Sequence, residues 1–111
     1  MDKESIERSE NSDEFHRRMR LAMVESYHKY GPLKDAYPHK VNAIANLKAR
    51  LAKFEATGNV DYLVDCANFC MIEFMFPSHA DHHDKHTDNT DGRYWHGGGQ
   101  ANVKRNDGTR N

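Results

Sequence analysis

Residues 62–76, YLVDCANFCMIEFMF, are the longest apolar run in a chain of which 30% of the residues are charged. At 100° per residue, one side of this run as a helix consists of Leu63, Ala67, Cys70, Met71 and Phe74. A helix that is apolar nearly all round is either buried in a packed assembly or spans a membrane. The run is shorter than the roughly 20 residues of a span and carries Asp65, Asn68 and Glu73, so the pattern favours a buried helix.

A first helix is predicted upstream of this run. Asn11 or Ser12 is suited to cap its start, and Gly31-Pro32 is a common stop signal. Its apolar stripe consists of Phe15, Met19, Ala22, Met23, Tyr27 and Tyr30. Residues 1–11, which precede it, are polar, and we expect them to form a flexible N-terminus.

A second helix is predicted to begin at Pro38, because proline is common in the first turn of a helix. Its stripe consists of Val41, Ile44, Leu47 or Lys48, Leu51 and Phe54. Gly58 suits the left-handed position after a helix, and Asn59 is placed to cap the next one. The third helix then extends from about Val60 to Phe76 and stops before Pro77.

The segment after Pro77 has a different composition. Residues 78–111 contain few aliphatic side chains and many glycines and turn-forming residues. Such a segment buries too little apolar surface to offset the entropy of ordering, so we expect a disordered C-terminal tail. The predicted organisation is a flexible segment at 1–11, a helical domain at 12–77 and a His/Asp/Gly-rich tail at 78–111.

The predicted fold class is all-α, with a three-helix bundle in each protomer. Three helices give a small core, and the third has more apolar surface than two neighbours can cover. We therefore expect a homo-oligomer, most simply a dimer, formed through the third helix. The alternative is a monomer whose tail folds back over the exposed side.

Charge and cysteine content limit the classes of partner and the compartment. The net charge of −1 gives no bulk attraction for nucleic acid or anionic lipid. Cys66 and Cys70 lie one helical turn apart and are interpreted as small buried hydrophobic residues in a reducing compartment. The polar N-terminus has no apolar signal core, so the predicted location is the cytoplasm, without membrane association.

Polar residues on the third helix indicate a binding site. Asp61, Asp65 and Asn68 follow one another at i, i+4 and i+7 and share one arc. With Glu25 and His28 from the first helix they offer an oxygen-rich site suited to Mg²⁺, while Lys29 and Arg50 suit phosphates. The predicted ligand-binding residues are Glu25, His28, Lys29, Arg50, Asp61, Asp65 and Asn68, with Asp65 and Glu25 as the Mg²⁺ ligands. The alternative is that the acids only complement the helix dipole and that Asn68 only bonds a neighbouring helix.

A second cluster, His79, His82, His83 and His86, has the spacing H-x-x-H-H-x-x-H. Imidazole suits Zn, Ni or Cu, so these four residues are a candidate transition-metal site. The tract lacks a cysteine pair or an H-E-x-x-H signature that would fix the geometry. Adventitious metal binding by an unstructured tract is therefore the alternative.

Glu25 on the first helix, the basic second helix and YLVDCANFCMIEF on the third resemble small all-α nucleotide pyrophosphohydrolases of the MazG-like or dimeric dUTPase type. The resemblance covers about residues 12–77 and implies Mg²⁺ held by E-x-x-E on one helix and E-x-x-D on a later one. Asp65 matches the aspartate of the second motif, but Tyr62 stands where its glutamate belongs. Glu25 matches one acid of the first motif and has no second acid beside it. The small helical body with a Gly/Asn/Asp-rich tail also resembles bacteriophage accessory proteins.

Two of the four motif acids are missing, and this favours binding over hydrolysis. The predicted function is an oligomeric phage-type protein that binds, and by binding sequesters, a nucleotide or nucleotide-derived signal in the host cytoplasm, as an anti-defence protein would. One alternative is a MazG-like Mg²⁺-dependent nucleoside triphosphate pyrophosphohydrolase. Another is a protein–protein inhibitor that uses the aromatic anchor Tyr94, Trp95 and His96 in the tail.

Overall fold

A computed structural model of the chain describes residues 1–87. The chain divides into two units, Met1–Ala80 and Asp81–Asn111, and residues 81–87 of the second unit contain neither helix nor strand. Within residues 1–87 there are four α-helices and no strand, which confirms the all-α class. The helices are α1 (Lys3–Ser9), α2 (Asp13–Tyr30), α3 (Ala43–Thr57) and α4 (Asp61–Met75), and a short 3₁₀ turn occupies Leu33–Asp35.

The short helix α1 lies in the segment that the sequence predicts to be flexible. Asp2 caps it by accepting a 2.8 Å hydrogen bond from the Ser5 N–H, and Glu4 and Arg8 lie at the ends that the helix dipole favours for their charges. All of its side chains are exposed except that of Ser5, which is half-buried. Local capping and charge placement therefore account for α1. With α1, residues 1–87 contain four helices, one more than the three that the sequence predicts.

Helix α2 has the ends that the sequence predicts. The Ser12 hydroxyl accepts a hydrogen bond from the Phe15 N–H at 3.0 Å, and Gly31 ends the helix with φ at 86°. The predicted apolar stripe is covered only in part. Phe15, Met19, Ala22 and Met23 are half-buried, but Tyr27 and Tyr30 at the C-terminal end are exposed.

Helix α3 begins at Ala43, so the prediction of a start at Pro38 is wrong. The Leu33 carbonyl accepts a hydrogen bond from the Tyr37 N–H, and the Ala36 carbonyl accepts from the N–H groups of Lys40 and Val41. The residues after Pro38 therefore form turns and not the first turn of α3. Asn42 then caps the helix by accepting a 2.9 Å hydrogen bond from the Ala45 N–H. Asn42 is a stronger start signal than Pro38 here, because its side chain accepts a hydrogen bond from a backbone N–H that has no acceptor within the helix.

This cap gives a stability prediction. The variant Asn42→Ala is expected to lower the free energy of unfolding by about 1 kcal/mol, since the Ala45 N–H loses its acceptor. Urea unfolding followed by circular dichroism measures the change. Asn42→Asp, which keeps an acceptor at the cap, is the matched control and should remain close to the native protein. Equal losses in both variants would contradict the role of the cap.

Helices α3 and α4 form an antiparallel hairpin around Gly58. Gly58 has φ at 75° in the left-handed region, and its N–H donates to the Phe54 carbonyl at 2.7 Å. The Asn59 side chain accepts from the Asp61 N–H at 3.0 Å, but the N-cap position of α4 is occupied by Val60, without a side-chain hydrogen bond. Arg50 of α3 and Asp65 of α4 are paired across this hairpin.

Helix α4 is the central element and packs against both α2 and α3. The buried apolar side chains of the described residues are Ala43, Val64, Cys66 and Ile72, all but the first on α4. Several large apolar side chains of α2 and α4 remain exposed, among them Leu21, Val24, Tyr27, Tyr30 and Phe74. None of the helices in residues 1–87 is long and apolar enough to cross a membrane.

Candidate functional site

The polar arc of α4 contains Asp61, Asp65 and Asn68. Because residues 61–75 form a continuous α-helix, the i, i+4 and i+7 spacing places these three residues on one side of it, as the sequence predicts. The structure then assigns each of them a partner on another helix. Two of the partners are arginines, and the third is a backbone carbonyl.

Asp61 lies in the first turn of α4 and forms an ion pair with Arg18 of α2. The guanidinium Nη2 of Arg18 donates to Oδ1 of Asp61. Both side chains remain in contact with solvent, and the Arg18 side chain is 36% exposed. This pair connects the N-terminal end of α4 to α2.

Asp65 lies one turn further along and is paired with Arg50 of α3. The Arg50 Nη1 donates to Asp65 Oδ2 at 2.7 Å, and the Arg50 side chain is 40% exposed. The pair is more enclosed than that of Asp61, since only 30% of the Asp65 side chain is exposed. An acid on an apolar helix needs such a partner, because an unpaired carboxylate is costly to remove from water.

Asn68 is buried at the α2–α4 contact. Its Nδ2 donates to the Met19 carbonyl at 3.1 Å, and only 5% of the residue is exposed. Its Oδ1 has no hydrogen-bond partner among the described residues. Asn68 therefore bonds a neighbouring helix, which is the alternative that the sequence left open, and it also carries an unsatisfied acceptor.

The predicted site residues of the first helix are surface residues of α2. Glu25, His28 and Lys29 are all exposed on α2. His28 follows Met19 by nine residues and therefore lies on the opposite side of α2 from the contact with Asn68. Within residues 1–87, no ion pair or hydrogen bond joins these three side chains to the acids of α4.

The structure describes all of the predicted metal ligands, which are Asp65, Glu25 and the four histidines that follow α4. Residues 1–87 contain no group of three or more His, Cys, Asp or Glu side chains arranged to hold a metal ion. His79, His82, His83 and His86 are exposed, and the His83 Nδ1 lies 2.9 Å from the carbonyl oxygen of Asp81. Binding of Mg²⁺ at Asp65 and Glu25 and of a transition metal at the histidines stays a prediction.

The cysteines occupy different environments. Cys66 is buried as predicted, and its Sγ lies 3.8 Å from the Leu47 carbonyl, whereas Cys70 is exposed, so the prediction that it is buried is wrong. Burial raises the pKa of the Cys66 thiol, and the neighbouring Cys70 and Asp65 add to this effect. Cys66 is thus a protonated core residue at neutral pH, and only the Cys70 thiol is accessible to reagents.

Glu73 forms a local cap rather than part of the polar arc. Its Oε2 accepts hydrogen bonds from the Ser78 N–H at 2.7 Å and from the Ser78 hydroxyl at 2.8 Å. The bond from the Ser78 N–H lowers the pKa of the Glu73 carboxyl, and the Ser78 hydroxyl lowers it further. The role of Glu73 is therefore to hold the chain that leaves α4.

Sequence reasoning did not include Arg18 among the site residues. The sequence signal for Arg18 was indirect. Asp61 on an otherwise apolar helix implies a basic partner but does not show which basic residue it is. The geometry of the site thus consists of two aspartates on successive turns of α4, each holding an arginine from a different helix. The chain matches no family model, and no curated protein and no solved structure is significantly similar to it.

Proposed function

We propose that the protein is a self-associating binding module for a phosphate-bearing small molecule of the nucleotide type, and that it binds this ligand without hydrolysing it. The observation that supports this proposal is the pair of half-exposed guanidinium groups, Arg18 and Arg50, held on successive turns of α4. Self-association is supported by the large apolar side chains, such as Phe74, that α4 leaves exposed.

Arg18 and Arg50 each have hydrogen-bond donors that their ion pairs do not use. A guanidinium carries five N–H donors in a planar fork, and each arginine uses one nitrogen in its ion pair. Residues one helical turn apart have Cβ atoms roughly 5–6 Å apart, so the two carboxylates that bind the guanidinium groups lie on neighbouring turns of α4. Two neighbouring guanidinium groups suit a chain of phosphates, to which arginine binds in a bidentate manner.

Binding is favoured over hydrolysis because both aspartates are engaged. A Mg²⁺-dependent pyrophosphohydrolase needs carboxylates that neutralise phosphate through the metal and activate water. Asp61 and Asp65 would have to leave Arg18 and Arg50 to do so. The aspartates are instead suited to position the arginines, with the phosphates as the second partner of each guanidinium.

A module that holds a nucleotide-derived ligand without turning it over would lower the free concentration of that ligand. This property fits sequestration of a signal in a host cell by a phage-type protein. The inhibitor alternative depends on Tyr94, Trp95 and His96, which lie outside the described residues.

The test is titration calorimetry of the protein with a nucleoside triphosphate, with and without Mg²⁺. Arg50→Ala is expected to weaken binding at least tenfold, because a hydrogen bond to a charged group contributes about 1.5–3 kcal/mol. Arg20→Ala is the matched control, since Arg20 is an exposed arginine of α2 that forms none of the ion pairs within residues 1–87.

Three results would overturn the proposal: equal affinity of the native protein and Arg50→Ala, an equal loss in Arg20→Ala, or release of pyrophosphate from the bound nucleotide. The last result would favour the hydrolase, and loss of that release in Asp65→Ala would assign the reaction to the polar arc of α4.

A further inference from the structure

One side of α4 is covered only in part by the helices within residues 1–87. The stripe on this side, called the outer stripe, consists of Leu63, Ala67, Cys70 and Phe74. Leu63 and Ala67 are half-buried, Cys70 is exposed, and Phe74 is 80% exposed. At 100° per residue, the members of the outer stripe lie about 100–160° around the helix from Asn68, through which α4 contacts α2.

The outer stripe has a spacing of four, three and four residues, which reads the same in both directions. The sequence of side-chain sizes is also symmetric, with a large residue at each end and two small residues in the middle. This spacing is that of alternating d and a positions in a heptad, and in an antiparallel pair each a position faces a d position of the other helix. The stripe is thus complementary to a second copy of itself.

We propose that two copies of the chain associate through antiparallel contact of their α4 helices, with a two-fold axis between Ala67 and Cys70. In this register Ala67 faces Cys70 of the partner subunit, and Leu63 faces Phe74 of the partner subunit. The small central residues allow close approach of the helix axes, and each Phe74 ring covers the end of the partner helix. A two-fold contact of this kind uses the same surface on both subunits.

The charges of α4 are compatible with this register. Asp65 is level with an apolar position, Ile72 of the partner subunit, and Glu73 is level with Val64 of the partner subunit, so no two acids are paired. Asp61 and Asp65 are also neutralised by arginines within their own chain. Antiparallel helix dipoles add a favourable contribution, because the N-terminal end of one helix lies beside the C-terminal end of the other.

The area of the outer stripe sets the strength of the contact. A buried aromatic side chain covers about 150–250 Å², and a standard interface takes about 800 Å² from each partner. The exposed parts of the four stripe residues supply at most about half of that area, because Leu63 and Ala67 are already half-buried, and the exposed Met75 adds to it. The dimer is therefore expected to dissociate on dilution.

This inference rests on the self-association in the proposed function and is independent of the ligand. Sedimentation velocity of the full chain over a range of concentrations is expected to show a monomer–dimer equilibrium. Phe74→Asp should make the chain monomeric at concentrations where the native chain is dimeric. Tyr30→Asp is the matched control, because Tyr30 is 79% exposed but lies on α2, and it should leave the equilibrium unchanged. Circular dichroism checks that both variants fold.

Cross-linking tests the register. Cys70 and Cys70 of the partner subunit are three positions apart along antiparallel helices, about 4.5 Å along the axis, with axes roughly 8–10 Å apart. A short bis-maleimide is expected to join the two thiols, because the chain has two cysteines and the other is buried. A chain that is monomeric at every concentration would overturn both this inference and the proposed self-association. A dimer that persists in Phe74→Asp or is not cross-linked through Cys70 would overturn the α4 contact alone.

Discussion

The variant Asn68→Asp is expected to lose about 4 kcal/mol of unfolding free energy at pH 7. Asn68 is 5% exposed and its Nδ2 donates to the Met19 carbonyl, so a carboxylate there would be buried against another oxygen. The folded variant avoids this by keeping the new carboxyl protonated. Protonating a group with an ordinary pKa of about 3.9 at pH 7 costs roughly 1.4 kcal/mol for each of about three units.

The pH dependence gives the sharper test. Burial raises the pKa of the new carboxyl in the folded state above its value in the unfolded chain. Below about pH 4 the new carboxyl is protonated in both the folded and the unfolded state, so Asn68→Asp loses little unfolding free energy relative to the native protein. This loss grows as the pH rises towards the pKa of the carboxyl in the folded state. Urea unfolding of both proteins at several pH values between 4 and 7 measures this difference.

The control for this variant is Asn68→Leu, which replaces both polar atoms with apolar ones. Its expected loss is about 1 kcal/mol, independent of pH, because one hydrogen bond disappears together with an acceptor that has no partner among the described residues. A loss in Asn68→Asp that is the same at pH 4 and pH 7 would show that position 68 is not enclosed in solution.

The second large effect is expected for Ile72→Ala, with a loss of about 2–5 kcal/mol. Ile72 is buried on α4, and truncation removes its transfer free energy and leaves a cavity. Because the buried apolar set of the described residues is small, this loss is a large part of the stability of the domain. Thermal and urea unfolding of the purified variant measure the change.

Two companion variants separate burial from helix propensity. Ile72→Val should lose about 0.5–1.5 kcal/mol, since it removes one methylene. Phe74→Ala, two residues further along the same helix, should have little effect on the monomer because the ring is exposed. A loss in Phe74→Ala as large as that in Ile72→Ala at low protein concentration would contradict the described placement of α4.

The helices were largely predictable because their signals are local. Ser12, Gly31 and Gly58 act through hydrogen bonds or backbone angles within a few residues, and the structure uses them as the sequence predicts. The start of α3 was mispredicted because proline and asparagine gave competing local signals, and the turns after Leu33 decided between them. Helix α1 was missed because a short polar helix has no apolar stripe to reveal it.

The candidate site was predictable only in its α4 half. Helical periodicity alone places Asp61, Asp65 and Asn68 on one arc, since three residues at that spacing share a face wherever the helix lies. Their partners depend on how the helices pack. Arg18 precedes Asp61 by 43 residues, and Arg50 precedes Asp65 by 15, so no local pattern links them.

The sequence by itself therefore determined the helical class, most helix ends and the shared arc of the acids, because backbone hydrogen bonding and side-chain periodicity act over a few residues. Only the tertiary structure decided that the acids hold arginines, that Asn68 is enclosed and that Phe74 lies on the outside. These outcomes depend on which helices meet and at which register, and that choice follows from the packing of apolar side chains far apart in the chain.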